Sequence, residues 1–112
     1  MSFIQGPLRT FLNSDGKLVL CNEPFFEHFG HCTQHLIGKS VTDVFSTDDG
    51  IKVMEAMQWC QLHPEQSCTL EMTRSCKGGC NLFEWLVYAE RQSGKVTGVH
   101  LVGRFMHTEN AA

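Results

Sequence analysis

The stretch that decides the fold is FLNSDGKLVLCNEPFFEHFG, residues 11–30. Two apolar runs flank its NSDG segment, which is typical of a tight turn because the polar side chains can bond nearby backbone groups. Gly16, the last residue of that segment, can adopt the positive φ that such turns require. We therefore predict a β-hairpin made of strands at residues 8–12 and 17–21.

The hydrophobic period changes directly after the hairpin, at Asn22. An asparagine side chain can accept a hydrogen bond from a free amide of a first helical turn, and Pro24 suits that turn. Phe25 and Phe29 then lie on one helix face. Because a helix of about two turns is unstable alone, we expect it to end at Gly30 and to bury its rings against the sheet.

The rest of the chain predicts further short helices and then three strands. Residues 40–45 and 48–62 have helical patterns, and the second helix opens on Asp48 and Asp49, whose charges suit the helix dipole. Apolar and polar residues then alternate, which predicts strands at residues 67–74, 81–90 and 96–105. All five strands must share one sheet, since an isolated hairpin is marginal. The predicted fold class is α+β, with the helices on one face of an antiparallel sheet.

Composition excludes several classes of protein. The 112 residues fit one domain, and a net charge of −3 without a basic stripe argues against a nucleic-acid partner. The sequence contains no apolar run long enough to span a bilayer and no secretory signal, so we expect a cytoplasmic domain without direct membrane contact. It also contains no nucleophile elbow, phosphate loop or zinc-protease helix, so we expect no enzyme activity and no catalytic residues.

Two stretches of the sequence, residues 14–45 and 84–104, resemble a PAS domain. The resemblance covers nearly the whole chain and includes a turn at Gly94. Its N-terminal signature matches in order and spacing at Asp15, Gly16, Asn22, Phe25, Phe26, Gly30, Leu36, Ile37, Gly38 and Lys39. The sequence departs from the family at Phe105 and His107, where the family often has the Asp and Thr that tie its last strand to an output helix.

The resemblance implies a five-stranded antiparallel sheet with helices on one face and a sensory, signal-transducing role. PAS domains commonly lie upstream of an effector such as a histidine kinase of a two-component system or a cyclic-dinucleotide enzyme. We expect the PAS domain to span residues 8–106, with residues 1–7 as an N-terminal extension and residues 107–112 as a linker or tail. One alternative is a PAS module that binds no ligand and serves dimerisation.

The resemblance also implies an internal pocket for a small apolar ligand, lined by the long helix and the last three strands. The residues expected to line it are Val53, Met54, Met57, Cys60, Leu70, Met72, Trp85 and Leu101. The competing interpretation is that these side chains simply fill the core. The identity of any cofactor stays open. A flavin-adduct cysteine run is absent, and haem is not expected because His63 ends the long helix and the face of His100 is undetermined.

The six cysteines are Cys21, Cys32, Cys60, Cys68, Cys76 and Cys80. Without an export signal, we expect mostly buried, reduced thiols. A second alternative function is a thiol redox sensor that forms a disulfide between Cys76 and Cys80, provided that the two residues pair directly across their loop. A structural zinc site needs four ligands and this loop supplies two, so we predict no metal site.

An apolar surface predicts self-association. Leu82, Leu86 and Tyr88 lie on the opposite strand face from the predicted core residues, and exposed apolar patches usually mark interfaces. Phe3, Ile4 and Leu8 precede the hairpin and have no evident core role. We therefore expect a homodimer that uses the outer face of the sheet and residues 1–8.

Overall fold

Five strands form a single antiparallel sheet in the order β2-β1-β5-β4-β3. The computed structural model describes residues 6–29, 36–76 and 79–110, and the side chains of all of these except residues 74–76, 109 and 110. The strands are β1 Leu8–Leu12, β2 Leu18–Cys21, β3 Ser67–Cys76, β4 Gly79–Gln92 and β5 Lys95–Asn110. The helices are α1 Glu23–Phe29, α2 Val41–Val44 and α3 Thr47–Leu62. The predicted fold class is confirmed. Phe3, Ile4, Gly30 and Cys32 lie outside the described residues.

The predicted turn between β1 and β2 is present and is held by Asn13. Its Oδ1 accepts hydrogen bonds from the backbone amides of Asp15 and Lys17, at 3.0 Å each. Gly16 has a φ of 80°, and a Cβ at this position would lie 2.7 Å from the Met54 sulfur. The turn therefore needs glycine both for its backbone conformation and for its contact with α3.

Asn22 caps α1 as predicted and also connects that helix to β1. Its Oδ1 accepts hydrogen bonds from the amide of Phe25 at 3.1 Å and from the amide of Arg9 at 3.0 Å. Its Nδ2 donates to the carbonyl of Pro7 at 3.0 Å. A single side chain thus fixes where α1 starts relative to the first strand.

Helix α3 begins one residue earlier than predicted. Ser46 is its N-cap, with Oγ accepting a hydrogen bond from the amide of Asp49 at 3.3 Å, so the helix starts at Thr47. The acidic first turn predicts a helix here, but the serine before it sets the first helical residue. Close approach of α2 and α3 depends on Gly50, where a Cβ would lie 2.8 Å from the Thr42 Cα.

The inner face of the sheet packs against the helices to form the core. This core includes Leu8, which we expected at a dimer interface. Leu8 is completely buried. The expectation that it has no core role is therefore wrong. It pairs with Gly103 of the central strand β5, and alternate residues of β1 consequently face the helices. Its side chain is not available to a dimer interface.

Strand β5 continues beyond the predicted end of the domain. Its residues 107–110, expected as a linker or tail, pair with the first residues of β4, from Leu82↔His107 to Gly79↔Asn110. Two long strands can extend each other in this way because each supplies the backbone partners that the other needs. None of the helices formed by the described residues combines the length and apolar character that a membrane span requires.

Candidate functional site: an aromatic cleft at the start of α3

A cleft of about 530 Å³ lies between the sheet and the N-terminal end of α3. We call it the aromatic cleft. Its walls are formed by Phe29, Phe45, Met72, Phe83 and Trp85, and its rim by Ser46, Asp48, Asp49, Lys52 and Thr73. The wall residues are buried or half-buried, and four of the five rim residues are exposed. The accessible surface of the cleft is therefore mainly polar, and most of its apolar wall residues are covered by their neighbours.

Ring contacts fix the walls of the aromatic cleft. Phe45 meets Trp85 edge to face with centroids 5.5 Å apart, and Phe29 lies 4.9 Å from Phe45. Behind them Phe25 stacks on Phe29 at 4.5 Å. Edge-to-face and offset arrangements are the favoured geometries of aromatic pairs. The two phenylalanines that α1 buries, Phe25 and Phe29, therefore build the site as well as covering the sheet.

A glycine on the central strand makes room for the indole ring of Trp85. A Cβ at Gly103 would lie 2.7 Å from three ring atoms of Trp85. Gly103 is also the cross-strand partner of Trp85 in the β4–β5 register. A glycine inside a strand often marks such a close approach, and this signal was available in the sequence but was not used to locate the site.

The rim of the aromatic cleft carries charges of both signs. Asp48 and Asp49 lie in the first turn of α3 and Lys52 follows one turn later. Ser46 and Thr73 add hydroxyl groups.

The structure brings only two of the eight predicted pocket residues to this cleft, Met72 and Trp85. Four others, Val53, Met57, Cys60 and Leu101, are 0–2% exposed and belong to the packed core. Met54 packs against Gly16, and Leu70 is half-buried against the core. For these six positions the arrangement matches the competing interpretation, in which the side chains fill the core.

Three wall residues of the aromatic cleft were missing from the predicted site: Phe29, Phe45 and Phe83. Of these, Phe29 is one of the rings that the sequence predicts to pack against the sheet. Periodicity indicates which side chains point inward. It does not indicate where inward-pointing side chains leave space between them.

The histidines discussed as haem ligands lie away from the cleft. His100 is on the outer face of the sheet, where its ring lies 5.0 Å from that of Tyr88 and 4.7 Å from that of Phe11. Its Nε2 is 3.1 Å from the Glu90 carboxylate. His63 is the C-cap of α3, with Nδ1 3.0 Å from the carbonyl of Trp59. Within the described part of the chain, no three His, Cys, Asp or Glu side chains cluster as a metal site would need.

The predicted redox cysteines are not direct cross-strand partners. In the β3–β4 register Cys76 pairs with Gly79, and Cys80 pairs with Ser75. The predicted Cys76–Cys80 disulfide required the two residues to pair directly across the loop, and this register does not pair them.

Another pair of cysteines is close together in the core. The Cys60 Sγ lies 3.9 Å from the Cys68 Sγ and donates a hydrogen bond to the carbonyl of Val87 at 3.4 Å. Burial, with a further contribution from Cys68, raises the pKa of Cys60 to about 12. Burial also raises the pKa of Cys21, against a smaller lowering by its hydrogen bond with Thr10.

Comparison with known proteins places the chain among proteins of one fold. The family model described as PAS fold matches residues 10–106. A domain of an HTR-like protein from Haloarcula marismortui matches with a TM-score of 0.75 and 14% identity, over 90% of this chain and 98% of that one. A sensory box sensor histidine kinase from Vibrio cholerae matches with a TM-score of 0.72 and 14% identity, over 92% and 84% of the two chains.

A third similar structure contains both a ligand and DNA. It is a complex of VqmA from Vibrio cholerae, with a TM-score of 0.78 and 12% identity over 90% of this chain. The match spans 46% of the VqmA chain, so it corresponds to about half of that protein. At such low identity these structures show a shared fold. Because one of them is a DNA complex, they do not support the expectation that nucleic acid is never a partner. No curated protein matches the sequence.

Proposed function

The chain belongs to the PAS family, and from that premise we propose that it is the sensory input domain of a larger signalling protein and binds a small molecule in the aromatic cleft. The observation that carries the ligand proposal is the cleft itself. Its volume of about 530 Å³ lies within the range of roughly 300 to 1,000 Å³ that is usual for ligand pockets. It combines aromatic walls with a polar and charged rim.

The chemistry of the cleft favours a flat, ring-containing ligand. Phe45, Phe83 and Trp85 line the cleft, and a planar ring is the shape that packs best against aromatic side chains. Met72 adds a side chain that adapts to irregular shapes. The charges of Asp48, Asp49 and Lys52 at the rim would select ligands whose polar substituents point outward.

The effector is proposed to lie outside this chain. Similar domains occur in a sensor histidine kinase and in VqmA, which was solved with ligand and DNA. One input fold is thus found in proteins of different kinds. We propose no catalytic activity for the domain itself, and we make no choice between a kinase and a DNA-binding output.

Tryptophan fluorescence can test the ligand proposal, because the chain has two tryptophans in different surroundings. Trp85 lines the cleft, whereas Trp59 is on α3, 38% exposed and stacked on His63. The variant Trp59→Phe therefore reports on the cleft alone, and Trp85→Phe reports on the distant site. Both variants would be titrated with a panel of small aromatic probes such as indoles, pyridines and phenols.

We expect at least one probe to change the emission of the Trp59→Phe variant saturably. The Trp85→Phe variant should respond only by weak, unsaturable quenching. If no probe saturates, or if both variants respond alike, the proposal of a ring-binding cleft is wrong.

Homodimerisation is a second proposed role, supported by the outer face of the sheet. Leu20 is 66% exposed and Leu86 is 37% exposed there. Beside Leu20 lies a shallow groove of about 320 Å³ whose lining includes Phe11, Tyr88 and Val102. Apolar side chains in such a surface stabilise an interface most when a partner removes them from water. We propose a second copy of this chain as that partner.

Sedimentation at increasing protein concentration would test the dimer. Leu86→Glu places a charge on the outer face and should shift the chain to monomer. Ile51→Glu is the control, because Ile51 is an exposed apolar residue of α3 and 50% exposed. A wild-type chain that remains monomeric at high micromolar concentration would exclude this role.

A further inference from the structure

Two thiols lie close together where the C-terminal end of α3 passes over β3. They are not Cys76 and Cys80, the redox pair that the sequence suggested. The Cys60 and Cys68 sulfurs are 3.9 Å apart, whereas a disulfide bond is about 2 Å long. The sulfur atoms would therefore have to move about 2 Å closer together to form a bond. A change of side-chain rotamer is the movement that we invoke to close this gap.

The fold keeps this pair together but leaves one partner accessible. Only residues 63–66 connect α3 to β3, and their turn is closed by a hydrogen bond from the amide of Gln66 to the carbonyl of His63 at 2.9 Å. Cys60 is completely buried, while Cys68 is half-buried on β3, an edge strand of the sheet. An oxidant can therefore reach Cys68 first, with Cys60 already beside it.

We propose that Cys60 and Cys68 form a reversible intramolecular disulfide when the domain meets hydrogen peroxide. In the first step the Cys68 thiolate attacks one peroxide oxygen. The O–O bond breaks, the departing hydroxide takes up a proton to become water, and Cys68 becomes a sulfenic acid. In the second step the Cys60 sulfur attacks the Cys68 sulfur and the S–O bond breaks. The departing hydroxide takes the Cys60 proton as water.

The overall reaction is balanced by these two steps. Two thiols lose two protons and two electrons, and one peroxide is reduced to two waters. Burial keeps Cys60 protonated at neutral pH, which slows its attack on the sulfenic acid. The Cys60–Cys68 disulfide would link the last turn of α3 to the edge strand β3. Its formation does not depend on whether the aromatic cleft is occupied.

Peptide mapping tests the proposal on the intact wild-type chain. Protein treated with hydrogen peroxide is unfolded in the presence of N-ethylmaleimide and digested with trypsin. Cleavage after Lys52 and Arg74 yields residues 53–74, a peptide that contains Cys60 and Cys68 and no other cysteine. We expect this peptide to lose both maleimide labels and to be lighter by two hydrogens. Treatment with dithiothreitol before labelling should restore both labels.

Two variants serve as controls for the mapping. Cys68→Ala should abolish the linked form and leave Cys60 fully labelled. A double variant, Cys76→Ser with Cys80→Ser, should still give the linked peptide, because the reaction does not pass through the hairpin thiols. The proposal is overturned if the 53–74 peptide keeps both labels while Cys80 is oxidised. It is equally overturned if Cys68 is oxidised only to a sulfinic acid or is linked to another peptide.

Discussion

Helix α3 meets the sheet in two different ways along its length. From Val53 to Cys60 its inward side chains pack completely, and Met57 is 2% exposed. At its N-terminal end, Asp49 and Lys52 stand instead at the rim of the aromatic cleft. One continuous helix thus covers a filled core at one end and an open cleft at the other.

What differs between the two ends is the shape of the side chains opposite the helix. The filled end faces residues such as Val87 and Leu101, which are completely buried. The open end faces Phe83 and Trp85, whose rings meet at a tilt of 41° with centroids 6.3 Å apart. The aromatic pair borders the cleft, whereas the aliphatic residues lie in the filled part of the core.

Truncating a methionine at each end gives the largest expected difference. Met57 and Met72 are 2% and 4% exposed, so they are matched in type and burial. Met57→Ala should lower the free energy of unfolding by about 2–5 kcal/mol, because it opens a new cavity in a filled core. Met72→Ala should cost about 2 kcal/mol or less, since its side chain already borders a cleft. Urea unfolding of both variants measures this, and equal losses would mean that the cleft end is packed as well as the core.

Adding one methyl group at the cleft end should have the next largest effect. Gly103→Ala forces a Cβ into the Trp85 ring, and overpacking of this kind typically costs about 1–3 kcal/mol. The ring would be displaced, so the near-ultraviolet circular dichroism of Trp85 should also change. The double variant Gly103→Ala with Trp85→Leu should show a smaller penalty for the added methyl group. If the added methyl group costs the same free energy without the indole, the cause of that cost lies elsewhere on β5.

Asn22 tests how α1 brings Phe29 to the cleft. Asn22→Ala removes the cap and the link to β1, and should cost about 1–2 kcal/mol. From the sequence alone, Asn22→Asp would be much milder, because a carboxylate can also cap. In the structure Nδ2 donates to the Pro7 carbonyl, and a carboxylate cannot donate this bond. We therefore expect Asn22→Asp to lose about 1 kcal/mol as well. Wild-type stability of the aspartate variant in urea would show that the Pro7 bond contributes nothing.

The smallest effect is expected at the filled end, just above pH 9. The pKa of Cys60 rises from 9.0 to about 12 on folding because burial disfavours the thiolate. The raised pKa means that the unfolded chain releases this proton more readily. The stability that the protonated Cys60 thiol contributes is therefore complete below pH 9 and is lost progressively as the pH rises toward 12. The unfolding free energy should fall more steeply with pH in the wild type than in Cys60→Ala, and equal slopes would contradict a buried, protonated Cys60.

Most of the fold could be predicted because its signals are local. The turn before Gly16, the cap at Asn22 and the alternation around Trp85 each depend on neighbouring residues. The start of α3 at Thr47 was misplaced by one residue because acidic residues suggest a first turn without fixing its cap. The extension of β5 to Asn110 was missed because it depends on pairing with β4, which periodicity does not reveal.

The site was predicted less well than the fold, for a physical reason. Sequence patterns separate inward from outward side chains, and on that basis Val53, Met57 and Trp85 look alike. Whether a space remains depends on how rings far apart in the sequence, such as Phe45 and Trp85, meet. The proximity of Cys60 to Cys68 is likewise a tertiary fact, since it depends on where α3 crosses an edge strand.

The most direct test of ligand binding in the aromatic cleft is a native mass spectrum of the purified chain beside two variants of β3. Met72→Trp fills the cleft from its wall, whereas Thr69→Trp adds the same ring to an exposed position on the outer side of the same strand. We predict that the wild type and Thr69→Trp retain the same small non-protein mass and that Met72→Trp does not. A wild-type chain without any bound mass, or a mass retained equally by Met72→Trp, would contradict the account.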